Sequence, residues 1–250
     1  MSRKQTEIKG QQTAENHFIW LKASYHFHVF HYRMPETAAI AAVTPFVPSP
    51  LTIKMAMIAS LFQLGDIDGV EILSKHMHKI EVEISPPKSA ISFKAFLRYR
   101  SPPAVESEEK GLDETGSYYP SRPHMREYAI FQDNLEVYVK SPLNLTSIVE
   151  KALKNIRYLG SKDSVVTCFD VLPVNGPPRD NQYVSKLDYS FPSGIVVLLA
   201  DFKPNIQIHD VKQLIPGNRD EKMYEKFPYT IPGRVITKGK TRIFISQVTK

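Results

Sequence analysis

FIWLKASYHFHVFHY, residues Phe18 to Tyr32, is the stretch from which the fold can be read. Its apolar residues recur at every second position, through Ile19, Leu21, Ala23, Tyr25, Phe27 and Val29, so the segment predicts one long strand with a core-facing side. The other side carries Trp20, Lys22, Ser24, His26, His28, Phe30 and Tyr32. That outer face mixes rings with donors and cations, which is unusual for a surface that only has to be wetted.

Reading outward, the Pro-rich segment Met34 to Pro50 interrupts regular structure, and Leu51 to Leu64 predicts a helix stopped by Gly65, with a second short helix over Asp68 to His78. Strands follow at Lys79 to Ser85 and Ala90 to Arg100, joined through Pro86-Pro87-Lys88. In the second of these Ile91, Phe93, Ala95, Leu97 and Tyr99 alternate with Ser92, Lys94, Phe96, Arg98 and Arg100, giving one apolar face and one basic, aromatic face. Periodicity then disappears from Ser101 to Met125, an excursion that a compact domain does not need. It returns in strands at Glu127 to Phe131 and Asn134 to Lys140, a helix from Asn144 to Tyr158 with Asn144 as N-cap, and a strand at Val165 to Leu172. Beyond it lies a β-rich tail with strands near Ile195 to Phe202 and Thr241 to Val248.

With one strand pair counted as an inserted hairpin, residues 18–172 spell β-α-β-β-α-β, the order of an α+β, ferredoxin-like or RRM-like sheet with helices on one face. The organisation expected is a polar N-terminal extension (1–17), this body (18–172) with an insertion at about 101–125, and a β-rich C-terminal region (173–250). In the RRM scheme the open sheet face stacks RNA bases on aromatic side chains and pairs phosphates with Lys and Arg.

Composition narrows the classes. The 250 residues are 42% hydrophobic and 23% charged, with 19 Pro, which excludes disorder and a coiled coil and suits stiff loops between strands. The net charge is +6, although Glu106, Glu108, Glu109, Asp113 and Glu114 crowd into one loop against Lys110. A basic body with one acidic loop favours a polyanionic partner. Cys168 is the single cysteine, so no internal disulfide and no paired-cysteine metal or redox motif exists. The start is polar and the longest apolar runs, Ala38 to Val43 and Gly194 to Ala200, are too short for a span, so a cytoplasmic protein is expected.

No nucleophile-elbow, zincin, P-loop or dinucleotide signature occurs, which disfavours an ordinary metabolic enzyme and calls for no cofactor. His26 and His28 share a strand face at the i, i+2 spacing of metal ligands, but nothing marks a third ligand and no metal is expected. Two turns remain. RYLGSKDS, Arg157 to Ser164, delivers Ser161, Lys162 and Ser164 through Gly160, where hydroxyls, backbone N–H groups and an ammonium converge on a phosphate; the bland reading is a helix C-cap. FVPSPLTIK, Phe46 to Lys54, opens the first helix with Ser49, Thr52 and Lys54 near the positive end of its dipole, or as ordinary capping.

In that order, the aromatic strand, Pro48-Ser49-Pro50-Leu51-Thr52, Arg126-Glu127-Tyr128 and Tyr158-Leu159-Gly160-Ser161-Lys162-Asp163-Ser164 resemble family five of the CRISPR-associated (Cas) proteins, RAMP subunits of type I Cascade surveillance complexes. The resemblance covers residues 18–172. It implies a ferredoxin-like body with an inserted thumb that caps the 5′ handle of the crRNA and docks against the backbone RAMP subunit and the large subunit, reaching target DNA through the complex. Where the family usually has a glycine after its proline-serine-threonine turn, this chain has Met55.

The reading is therefore a non-catalytic guide-RNA-binding subunit. Its expected RNA contacts are Ser49 and Lys54 at the first helix, Lys94, Arg98 and Arg100 on the basic strand face, Arg122, His124 and Arg126 at the thumb base, and Gly160, Ser161, Lys162 and Ser164 in the turn. The rival is a metal-independent endoribonuclease acting on the crRNA precursor, for which His26, His28, Tyr32 and His124 could supply acid and base. A β-rich protein-interaction module is the third possibility.

Overall fold

In the computed structural model, the described residues are 17–32, 43–100, 121–178, 183–187, 194–214 and 223–247, with backbone alone at 98–100 and 121–124. The core starts from the aromatic strand, β1 (Phe18–Phe27). Leu21, Ala23, Tyr25 and Phe27 are all at most 2% exposed, as their alternation predicts. The strand ends five residues earlier than expected. The chain bends at His28 and Val29, and Phe30 forms an isolated bridge to Ala129, which buries Phe30 instead of leaving it on an outer face and buries His31 beside it.

Helix α1 (Pro50–Gln63) follows, then α2 (Ile67–Lys75), capped by the Asp66 side chain at Gly69 N. After β2 (Glu81–Ser85), the long strands β3 (Ser89–Arg100) and β4 (Ser121–Phe131) pair along their whole length. Next come β5 (Leu135–Pro142), α3 (Thr146–Lys154) and β6 (Val166–Val174). Asn144 is not the N-cap of α3: it lies inside a one-turn 3-10 helix, Leu143–Leu145, and the helix starts behind Leu145 with no side-chain cap. The helix also stops at Lys154, so Gly160 does not cap it.

β1, β2, β5 and β6 form one antiparallel sheet in the order β2-β5-β1-β6; α3 packs against β1, β5 and β6, and α1 against β2. Tyr25, buried, donates its hydroxyl to Leu153 O of α3 at 2.8 Å, and Ser60 of α1 donates to Ala152 O at 2.9 Å. The helix carbonyls left over at the end of α3 are thus satisfied by side chains from the sheet and from the neighbouring helix.

The C-terminal region contributes β7 (Ser185–Lys186), β8 (Ile195–Phe202), β9 (Tyr224–Ile231), β10 (Gly233–Lys238) and β11 (Thr241–Ser246). These divide between two sheets. β7, β9 and β8 form one, ordered β7-β9-β8, which packs on α1; β10 and β11 join the long hairpin as β10-β11-β3-β4. Flanked by sheet and helices on several sides, α1 buries Leu51, Ile53, Met57, Ile58 and Leu61 and has no uniformly polar face.

The long hairpin departs from expectation in its orientation. Its core-facing side is the sparse one, with Ala90, Ser92, Ala129 and Phe131 buried, while Ile91, Phe93 and Ile130 of the apolar face are 40–52% exposed. The sequence excursion falls at the tip of this hairpin; residues 121–125 belong to β4, and 101–120, with the acidic run, lie outside the described residues.

A candidate RNA-binding cleft

Pro48 and Pro50 stiffen the entry to α1, and Ser49 between them caps it, with an extended backbone (φ −79°, ψ 154°) and an Oγ that accepts from Thr52 N at 3.2 Å. Tyr32 donates its hydroxyl to the same Oγ at 3.2 Å, tying the end of the first crossing to the start of the helix. Ser49 is fully buried. Lys54 also turns inward: it is 5% exposed, its Nζ lies 2.8 Å from Asp201 Oδ1, and it sits over the Phe202 ring. Of the two proposed contacts on α1, one caps the helix and the other locks it to β8.

The Gly160 turn is built against the same chain segment. Ser164 Oγ accepts from His31 N at 2.7 Å and donates to His31 O at 2.8 Å, while Ser161 N donates to the same carbonyl at 3.2 Å. Leu159 N to Ser164 O and Ser164 N to Ser161 O close the loop on itself. Gly160 has φ +102°, and a Cβ there would lie 2.9 Å from His31 O, so both the conformation and the close approach demand glycine. Ser161 Oγ is buried and has no hydrogen-bond partner among the described residues, whereas Lys162 is exposed.

Arg126-Glu127-Tyr128 reaches this turn from β4. Arg126 pairs with Asp163, and Tyr128 donates to the same carboxylate at 3.3 Å. Glu127 points the other way, into the core, where its carboxylate accepts from Thr44 N (2.8 Å), Ser92 Oγ (2.5 Å) and Arg242 Nη1 (3.0 Å). His31, 3% exposed, has its Nδ1 2.8 Å from Glu127 O; burial holds its pKa below the ordinary histidine value, the backbone contact opposing.

Between the two turns opens a cleft of about 580 Å³. Tyr32, Tyr158 and Tyr224 line it with Met55 and Phe62 of α1, and Lys162 and Lys226 contribute ammonium groups. Gly160 and Thr52 are also on its wall, so the two stretches that the sequence singles out separately meet here. Flat rings beside cations suit an unpaired base with its phosphate. Tyr224 and Lys226 were not legible as site residues, because they arrive on a late strand that carries Pro228.

The other expected contacts lie apart from the cleft. Lys94 is exposed on β3, opposite Glu127 in register. Arg98, Arg100, Arg122 and His124 sit further out on the hairpin, with Tyr99 opposite Arg122 and Leu97 opposite His124. The residues available for cleavage are not gathered: His26 and His28 meet edge to face at 5.4 Å beside Phe169, while Tyr32 is in the cleft. Among the described residues no group of three His, Cys, Asp or Glu side chains is placed to hold a metal.

No family model matches the chain. It is 24% identical over 237 residues to CRISPR-associated protein Cas5 of Archaeoglobus fulgidus, a match that takes in 88% of this chain and 95% of the relative. The likeness to a Cas5 protein thus runs through nearly the whole chain. The chain also superposes on a CRISPR protein from Archaeoglobus fulgidus, with TM-score 0.47 and 16% identity over 91% of this chain and 92% of the other. A chain of a CRISPR RNA-guided surveillance complex superposes with TM-score 0.41 and 12% identity, over 94% of both.

Proposed function

We propose that this chain is a crRNA-binding subunit of a CRISPR surveillance complex, that it holds the 5′ handle of the guide in the manner of type I Cascade, and that it does so without cutting it. The observation that carries the reading is the cleft, in which the turn opening α1 and the Gly160 turn come together with three tyrosines and Lys162. The body sheet supports it as well. With β3 and β4 set aside as an inserted thumb, its elements run β-α-β-β-α-β in the spatial order β2-β5-β1-β6, which we read as ferredoxin-like.

In this reading Lys162 meets a phosphate and the tyrosines meet bases. Ser49, Ser164 and Gly160 act indirectly, by fixing the two turns, and Lys54 acts through its bond to Asp201. Lys94, Arg98, Arg100, Arg122, His124 and Arg126 extend the path along the thumb.

Filter binding of a labelled repeat RNA across a salt series tests the proposal. Lys162→Ala should lower the slope of log K against log salt by about 0.7, the value for one single-strand phosphate contact. The loss should be equal for different handle sequences, since phosphate contacts do not read bases. An unchanged affinity and slope would place the RNA elsewhere. A site-specific cleavage product, lost in His26→Ala or His28→Ala, would instead favour the endoribonuclease.

A further inference from the structure

Four isoleucines, one from each strand, stand in line across the thumb sheet. Ile236 of β10 is opposite Ile243 of β11, Ile243 is opposite Ile91 of β3, and Ile91 is opposite Ile130 of β4. Directly opposed residues share a face, so the four side chains form a row spanning the sheet from edge to edge. That row faces solvent: Ile91 and Ile130 are each 52% exposed and Ile236 is 37% exposed. The neighbouring row continues the surface with Phe93, stacked on Tyr128 at 6.0 Å between centroids. Scattered exposed aliphatics need no explanation, but a continuous row across four strands marks a surface that is covered in use.

The charges around the row identify the covering. Arg234 and Lys238 flank Ile236 on the same side of β10, both exposed and in no ion pair among the described residues. Across the strand positions that share this face there is no Asp or Glu, and Asp163, which the Gly160 turn brings to Tyr128, is paired with Arg126. The RNA path proposed above reaches this face only further out along β4, at Arg126, His124 and Arg122, whereas the central row of branched aliphatic side chains neither stacks on bases nor binds phosphate. A second copy would set one cationic rim against another.

We propose that this face docks another protein subunit, one presenting an apolar stripe bordered by carboxylates. The proposal rests on the reading of the chain as part of a complex and adds to it the surface and the chemistry of the partner.

The test places the photo-cross-linker p-benzoylphenylalanine at Ile91 or at Ile236 in the full chain, co-expressed with the proteins encoded beside it and a repeat RNA. Purified material is irradiated and the joined peptides are read by mass spectrometry. Both positions are expected to join one stretch of one other protein, apolar and bordered by Asp or Glu, while the same probe at Thr237, exposed on the reverse of β10, does not. Arg234→Glu with Lys238→Glu should lower the yield at least tenfold. Cross-links to RNA, to a second copy or within the chain overturn the proposal, as does no cross-link at either position. RNA in the purified material is scored separately: its absence tells against the RNA-binding reading, while the cross-links alone decide the docking surface.

Discussion

Ser164 illustrates how a residue can be singled out correctly and for a different task. Its hydroxyl accepts from one backbone group of His31 and donates its one proton to the other, and it is fully buried, which keeps its remaining lone pair from a ligand. Ser164→Ala leaves the His31 N–H without its partner and should cost about 1–3 kcal/mol in urea unfolding. Gly160→Val should cost at least as much, since it adds a strained positive φ to the Cβ contact with His31 O, whereas Lys162→Ala should leave stability within about 0.5 kcal/mol. Equal stability of all three variants would contradict the account of the turn. The importance of Gly160 to Ser164 was legible because glycine, hydroxyls and a cation in one short turn have few other uses. The inward course of Lys54 was not, because its partner Asp201 lies 147 residues away and nothing local to α1 distinguishes a buried ammonium from a solvated one.

At the scale of the element, alternation gave away the strands but not which side of each faces the core. In β1 the apolar side is the buried side; in β3 small residues face inward and isoleucine and phenylalanine face out. Burial of the long hairpin depends on what packs behind it, a tertiary fact outside the period of two. β9 was hidden for another reason, since Pro228 removes a ladder donor and argues against a strand although Phe227 and Tyr229 flank it in register with β8. The edge strand β2 carries a titratable side chain that links pH to stability. Burial, helped by the carboxylates of Glu81 and Asp201 and opposed by Lys186 and Lys54, raises the pKa of Glu83 to about 7. Between about pH 4.5 and 7 the folded chain therefore holds a proton that the unfolded chain has released, so stability falls as pH rises through this window. Glu83→Gln should remove that slope and raise the unfolding free energy at pH 8, read from urea titration, by up to about 2 kcal/mol after allowance for partial exposure. A wild-type midpoint that rises from pH 5 to pH 8, with no change in the difference between wild type and variant, would contradict this assignment.

For the whole molecule, strands of the C-terminal region are built into the sheet of the long hairpin. β11 pairs with β3 and sets Phe244 against Phe46 at 5.2 Å, while Arg242 completes the set of groups around the Glu127 carboxylate. Such pairing was not legible, because strand partners far apart in sequence carry no local mark of one another. Deletion of Gly233–Lys250 should leave Glu127 buried without its cation and expose an unpaired edge of β3. The shortened chain should aggregate, or lose its near-ultraviolet circular dichroism while retaining part of its far-ultraviolet signal; a soluble product with the native urea midpoint would refute this. The same pairing bears on biosynthesis. A ribosome releases β3 and β4 long before it has made β11, so during translation the hairpin waits with one edge open and its inner face incompletely covered. Pairing of β11 with β3 completes this sheet, so the nascent hairpin is exposed to mispairing until β11 has emerged.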